Sequence, residues 1–386
     1  MASDVFALDP SLTHLNHGSY GACPREVLAH QAALRARLEA APTRFFSREY
    51  EPLLDEARAR VAAFVGADPA GLAFVPNATT GIACVLASAS LEVGDELLVT
   101  SHGYGACKNA AAHAAARAGA ALVVADVPFP VASADEIVLA VTRAVTPRTR
   151  LALIDHVTSP TALVFPIERL VRELQARGVD VLVDAAHAAG QVPLALAALG
   201  AAYATGNLHK WTCAPKGAAF LHVRADRRDR VRPVVISHGA TARRGDRSRF
   251  HLEFDWTGTF DPSAWLAAPR ALDVMAREFG GWDAIRRDNH ALAQEGRALV
   301  ADALGVAPPA PMELLGAMAS LELFDPAPPA RASGEDALQR WLLEEHRIEI
   351  PVLTLGARRL LRLSAQRYNT REDYERLARA LRSRPR

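Results

Sequence analysis

The chain has 386 residues, 50% of them hydrophobic and 23% charged, with 44 basic side chains against 43 acidic ones and a formal net charge of +1. At roughly 150 residues per domain this is two or three domains, large enough to bury cores without disulfide or metal staples. So even a charge balance argues against nucleic acid or an anionic membrane as the main partner.

Residues 1–13 carry Asp4 and Asp9 and lack a basic stretch followed by an apolar run, so no signal peptide is expected. Residues 52–65 read as an amphipathic helix and 72–75 as a first strand. The turn Asn77-Ala78-Thr79-Thr80-Gly81 then opens an uncharged helix running to residue 89. Strands follow at 96–100, 121–125, 151–155, 180–184, 201–205 and 218–223, with apolar spacing near three or four predicting helices at 107–117, 134–144, 167–177 and 187–199. Strands separated by helices predict a parallel sheet covered on both faces. The gap 206–217 is too short for a helical crossover, so the last strand is expected to be antiparallel. The alanine-rich run 110–124 is broken by His113 and Arg117 and cannot span a bilayer.

Beyond about residue 260 the pattern changes to a long arginine-rich helical region at 262–304. Proline breaks at 308–309 and 326–329 come next, then short strands and a terminal helix for which Thr370 and Asp373 form a capping box. The expected architecture is α/β: a mostly parallel seven-stranded sheet covered by helices. It divides into an N-terminal arm (1–14), a large α/β domain (15–258) and a smaller α+β domain (259–386).

Of the basic residues, 41 are arginine and only Lys108, Lys210 and Lys216 are lysine. Arginine cannot give up its proton in a protein, whereas lysine can and then acts as a nucleophile. Four cysteines, Cys23, Cys84, Cys107 and Cys213, stand far apart with no C-x-x-C pair. That usage suits a reducing cytoplasm and favours neither a zinc site nor a disulfide framework.

In open α/β sheets ligands bind beyond the carboxyl ends of the strands. Those ends carry His102 and Tyr104, Asp155, His156, Thr158 and Ser159, Asp184 and His187, and Asn207, His209 and Lys210, while Thr79 and Thr80 open the first helix. Singly, the threonines read as helix caps, Asp184 as a buried ion-pair partner, and His187 and Tyr104 as core residues. Together on one edge they point to a ligand. A helix start with two hydroxyls suits a phosphate, a carboxylate holds a ring nitrogen protonated, an aromatic stacks on a flat ring, and a lysine forms an imine with an aldehyde. Those demands describe pyridoxal phosphate. Lys108 sits in a helix start, and Lys216 follows Pro215, where contact with a phosphate or with solvent is expected. Lys210, 26 residues after Asp184, is the lysine placed to meet the far side of the same ring.

At these residues the sequence resembles the class V aminotransferase family of fold type I pyridoxal-phosphate enzymes, in the branch of isopenicillin N epimerase-like proteins and carbon-sulfur lyases. The likeness rests on Leu15-Asn16-His17-Gly18-Ser19-Tyr20-Gly21, the 77–81 turn and His102-Gly103-Tyr104-Gly105-Ala106. It continues in Asp155-His156-Val157-Thr158-Ser159-Pro160, Asp184-Ala185-Ala186-His187 and Gly206-Asn207-Leu208-His209-Lys210-Trp211. Trp256-Thr257-Gly258-Thr259 and Arg362-Leu363-Ser364 with Tyr368-Asn369 complete it.

The resemblance implies that Lys210 joins the cofactor as an imine, Asp184 holds the pyridinium, His187 faces the ring hydroxyl and Tyr104 stacks on the ring. Ala78, Thr79, Thr80, Ser159 and His209 would complete the cofactor and phosphate site. Thr259 would reach that phosphate from a neighbouring subunit, making the site a property of a homodimer. Arg362 would clamp the substrate carboxylate, with Asn16, His17 and Tyr20 beside it. Apart from the resemblance, Asn16, His17, Arg44, Phe46 and the segment 243–249 are the candidates for reading the substrate side chain, the arginines of that segment reading equally as a solvated loop and Arg44-Phe45-Phe46 as packing under the pocket. The sequence departs from the family's cysteine desulfurases, which need a mobile cysteine in the C-terminal region: none follows Cys213.

The expected substrate is an α-amino acid. Loss of a thiolate from Cβ, a β-elimination that makes the protein a C-S lyase, is the leading expectation because it needs only one base. Epimerisation, which needs a second acid such as Tyr104, His17 or Tyr20, stands close behind, and transamination and decarboxylation or oxidative deamination remain open. A metal-dependent hydrolase built on His102, Asp155, His156, Asp184 and His187 lacks any H-x-x-x-H spacing. A dinucleotide enzyme lacks the third glycine after Gly103-x-Gly105.

Overall fold

The computed structural model describes residues 2–324 and 335–384, so the proline break expected at 326–329 lies outside the described residues. In chain order the strands are β1 (Thr13–His14), β2 (Leu72–Val75), β3 (Glu96–Thr100), β4 (Ala121–Ala125), β5 (Thr149–Asp155), β6 (Asp180–Asp184), β7 (Tyr203–Asn207), β8 (Ala219–Val223), β9 (Met318–Leu323), β10 (Ile348–Glu349), β11 (Val352–Leu355) and β12 (Arg358–Ser364).

The central sheet has seven strands in the order β2-β8-β7-β6-β5-β3-β4. β7, β6, β5, β3 and β4 run parallel, and β8 runs antiparallel to both of its neighbours, as the short gap before it requires. Side chains alternate between two cores: Leu98, Ile154 and Val183 point into one, and Leu97, Leu153 and Leu182 into the other. With helices on both faces the middles of the parallel strands are apolar, as in Leu97–Val99, Leu151–Ile154 and Val181–Val183, with polar residues at their ends.

One helical expectation is corrected and another is refined. The span 187–199 is helical only at Leu196–Leu199, because Gly190 turns the chain at φ 90 and Pro193 cannot donate an amide to a helix. The region 262–304 is three helices, Ser263–Leu266, Ala268–Glu278 and Trp282–Leu304, parted before the last by Gly280 and Gly281 at φ 75 and 93.

Helices Ser263–Leu266 and Ala268–Glu278 pack on the N-terminal helices Arg25–Ala40 and Tyr50–Val65. Trp282–Leu304 and Arg371–Arg382 instead cover the antiparallel sheet β11-β12-β9 and share a core with Leu361, Leu363 and Tyr374. The N-terminal segment joins that second core: β1 pairs parallel with β10, and Leu15 is buried in it. The Thr370/Asp373 capping box opens the last helix. Among the described residues no helix is long and apolar enough to cross a membrane.

Candidate active site

The carboxyl ends of the parallel strands surround a cavity of about 220 Å³. Asp155 and Asp184 end adjacent strands in register, Asn207 ends the next, and Lys210 follows three residues later. The helix Ala78–Ser88 points its start at the same space. Asn77 caps it by accepting the Thr80 N–H at 2.8 Å, and Asn207 Oδ1 accepts the Ala78 N–H at 2.8 Å across the sheet edge. Gly81 allows this helix to lie against β7, since a methyl there would collide with the Thr205 side chain.

The cavity is polarised. At one end Asp184, 3% exposed, accepts the Ala186 N–H at 2.9 Å and the Cys107 thiol at 3.3 Å. Burial raises its pKa against those two hydrogen bonds and the charge of Lys210. Asp155 is raised well above the carboxylate range, first by burial and then by the negative charge of Asp184. Two buried carboxyls this close cannot both ionise cheaply, so they titrate as a coupled pair shifted upward. At the other end stand Thr79, His209 and the amides of the helix start, and Lys216 also lines the cavity. Burial holds the His209 imidazole neutral, with a pKa of about 4, and its Nδ1 is buried without a hydrogen-bond partner.

Lys210 lies between these ends. Its Nζ is 3.2 Å from His187 Nε2, and Trp211 Nε1–H donates to His187 Nδ1 at 3.4 Å. Indole nitrogen is only a donor, so His187 Nδ1 accepts and the ring proton resides on Nε2, facing Lys210. The imidazole is neutral, driven well below its ordinary pKa by burial and then by Lys210. Burial, and next the charge of Arg362, lower the Lys210 pKa to about 8. Above that pKa the amine is neutral and accepts the His187 Nε2–H as a hydrogen bond.

Arg362, 1% exposed on β12, donates to Ser159 O at 2.7 Å, Ser159 Oγ at 3.2 Å and Ser19 Oγ at 2.7 Å, and its Nε is buried without a partner. Its pKa falls to about 10 through burial, and among the described residues no carboxylate pairs with it. Ser19 and Ser159 line the cavity, so the guanidinium stands directly behind its wall. A buried cation lacking a counter-charge is an anion site in waiting.

The residues present fit pyridoxal phosphate: a carboxylate end for a ring nitrogen, a lysine in the middle, and amides, a hydroxyl and an unpartnered imidazole nitrogen for a phosphate. The family model Aminotransferase class-V matches residues 22–319. The chain belongs to the class V aminotransferase family.

Within this family it is 38% identical to an isopenicillin N epimerase of Amycolatopsis lactamdurans, over 98% of this chain and 97% of the relative. It is 31% identical to an L-cysteine desulfhydrase of Arabidopsis thaliana, over 96% and 87%. Among solved structures it matches a C-DES mutant carrying glycine linked to its PLP cofactor, with TM-score 0.80 and 21% identity over 97% of each chain. An apo cysteine desulfurase from Thermococcus onnurineus NA1 matches with TM-score 0.81 and 18% identity over 98% and 97%. These structural likenesses bear out the expected α/β architecture.

The class V fold brings most of the expected residues together. Tyr104, 46% exposed, and Tyr20, 73% exposed, stand at the cavity mouth, with Ala78, Thr79, Ser159, Asp184, His187, His209 and Lys210 lining it. Several expected residues lie elsewhere. Thr80 is occupied at the cap, its hydroxyl 3.0 Å from Asn77 Oδ1. His17 is 0% exposed: its Nδ1 meets the Tyr368 hydroxyl at 2.9 Å, its Nε2 lies 3.0 Å from the Lys210 carbonyl, and its ring packs on Trp211. It fastens the lysine backbone from behind and does not face the cavity.

Asn16 is also outside the lining. Thr259 lines a separate cavity of about 590 Å³ together with Phe46, Arg244, Arg247 and Trp256, while Arg44 pairs with Glu49 at 2.8 Å. The side-chain-reading residues expected from the sequence therefore do not meet Lys210 within one chain. Nor do the histidines of the hydrolase reading: His102 is held by Thr161 at 2.8 Å and Val127 O at 3.1 Å, and neither it nor His156 lines the cavity.

Sequence reasoning left Asn207, Cys107 and Ser19 without roles. Asn207 stood at a strand end with the others, and that position was its signal. Cys107 and Ser19 act through partners distant in sequence and gave none.

Proposed function

We propose that the protein is a pyridoxal-phosphate-dependent lyase that removes a thiolate from Cβ of cysteine or a cysteine S-conjugate. The observation that carries this reading is Lys210, a half-buried amine whose pKa burial lowers to about 8, between a carboxylate end and an anion-binding end of one cavity. The relatives named L-cysteine desulfhydrase support the choice of reaction.

Pyridoxal phosphate, when bound, supplies an aldehyde that condenses with amines and a ring that draws electrons from Cα. Asp184 keeps the ring nitrogen protonated; His187 and Tyr104 position the ring. Arg362 orients the substrate through its carboxylate, and the unpaired charge behind Ser19 and Ser159 is the source of that attraction. Lys210 Nζ, once free, takes the Cα proton. The electron pair of that Cα–H bond forms the Cα–Cβ double bond, and sulfur leaves Cβ as thiolate with the electron pair of the broken Cβ–S bond. The Lys210 ammonium then returns its proton to the departing sulfide.

Epimerisation is the second reading, favoured by the 38% identical isopenicillin N epimerase. It needs an acid opposite Lys210. With His17 turned away, Tyr104 and Tyr20 remain for that task.

The protein is further read as a homodimer in which Thr259 completes the partner's phosphate site, and as cytoplasmic, in keeping with four free, buried cysteines. Incubation of the loaded enzyme with L-cysteine and S-substituted cysteines decides the reaction. Stoichiometric pyruvate, ammonia and thiol support elimination; solvent deuterium at Cα with inversion and no pyruvate replaces it with epimerisation.

A further inference from the structure

The cavity carries a second ammonium group. Its lining contains two of the chain's three lysines, Lys210 and Lys216. Both charges are felt at His209, that of Lys210 more strongly, whereas at Asp184 only that of Lys210 is felt. Lys216 Nζ donates to the Gly21 carbonyl, and among the described residues no carboxylate pairs with it. An ammonium has three donors, so two remain for a ligand.

The rest of that end offers hydrogen bonds without a full charge. Thr79 is neutral, a helix start supplies about half an elementary charge, and His209 is held neutral. A phosphate monoester carries nearly two negative charges at neutral pH, and binding it in a half-buried cavity without a cation is unfavourable.

We propose that Lys216 is a phosphate-binding residue, its ammonium pairing with the cofactor's phosphate at the end of the cavity formed by Thr79, His209 and the start of the helix Ala78–Ser88. This rests on the pyridoxal-phosphate reading given above. The Gly21 carbonyl holds the lysine in place, and Pro215 and Gly217, the latter at φ 95, set the turn that aims it.

The test compares pyridoxal phosphate with pyridoxal, which lacks only the phosphate. Apoprotein is titrated with each aldehyde, capture at Lys210 is verified by borohydride reduction and peptide mapping, and inorganic phosphate is added as competitor. Lys216→Gln keeps a donor for Gly21 and removes the charge; Lys216→Arg keeps the charge. The expected result for Lys216→Gln is pyridoxal phosphate affinity weakened by about tenfold or more, pyridoxal affinity unchanged and weaker competition by inorganic phosphate, with Lys216→Arg close to wild type.

Equal weakening of both aldehydes in Lys216→Gln makes Lys216 a structural brace and overturns the inference, as does an unchanged ratio. If wild type captures neither aldehyde at Lys210, the pyridoxal-phosphate reading itself fails, and the inference falls with it.

Discussion

Lys210 Nζ and His187 Nε2 face each other at 3.2 Å, and Trp211 Nε1–H donates to His187 Nδ1 at 3.4 Å on the far side of the ring. Behind the pair, His17 and Trp211 lock the lysine backbone, so the amine is positioned by packing and not by its own flexible side chain.

Capture of pyridoxal phosphate by the apoprotein is expected to accelerate with rising pH and level off above about 8, the pKa at which burial holds Lys210. A depressed pKa leaves more free amine at a given pH, so the sign is toward faster capture at neutral pH than an ordinary lysine allows. Stopped-flow absorbance across the pH range reads the midpoint; a midpoint at the ordinary lysine value of 10.5 contradicts the assignment. The same shift makes burial of this group costly at low pH. That cost is relieved as pH rises from about 8 to 10.5, where the unfolded chain binds the proton more readily.

Arg362→Lys is expected to raise KM for the amino acid by roughly tenfold to a hundredfold while changing kcat less, because a point charge cannot make the bidentate contact with a carboxylate. Arg362→Met should abolish that binding without lowering thermal stability, since it removes a buried charge that lacks a counter-ion. Steady-state kinetics and calorimetric melting check the two halves. A large loss of stability in Arg362→Met would show that the guanidinium is structural.

Asn207→Ala leaves the buried Ala78 N–H without its acceptor, at a cost of about 1–3 kcal/mol in stability. The helix start that faces the phosphate end loses its tether to β7, so cofactor affinity should fall as well. Denaturant unfolding of apoprotein and cofactor titration read these separately.

Subunit mixing tests the shared site. Lys210→Ala and Thr259→Arg are each expected to be inactive, and activity should return when the two are unfolded and refolded together, because one of the mixed sites then has both wild-type residues. No recovery in a mixture shown by native mass spectrometry to contain heterodimers would place Thr259 outside the catalytic unit.

Much of the fold was legible because its signals are local. Residues 96–100 and 180–184 are short apolar runs that must be strands buried on both faces, and the gap before β8 was too short for anything but an antiparallel return. The helix at 187–199 was overread because apolar spacing continues across Gly190, whose positive φ breaks the helix, and a spacing rule does not register backbone conformation. At the site, Asp184 and Lys210 were legible from the strand ends. His17 was misplaced because a histidine in a conspicuous motif reads the same whether it faces a ligand or holds the lysine's backbone.

The sequence alone determined which chemistry was available: a chain with three lysines, one of them just beyond a strand end and a helix and a strand away from an aspartate, is committed to that amine by composition and spacing. The tertiary structure decided how the amine is tuned. Arg362 meets Ser19 across 343 residues of chain, His17 meets Lys210 across 193 and Lys216 meets Gly21 across 195. Burial and electrostatic field belong to such distant neighbours, and they exist only once the chain has closed around the cavity.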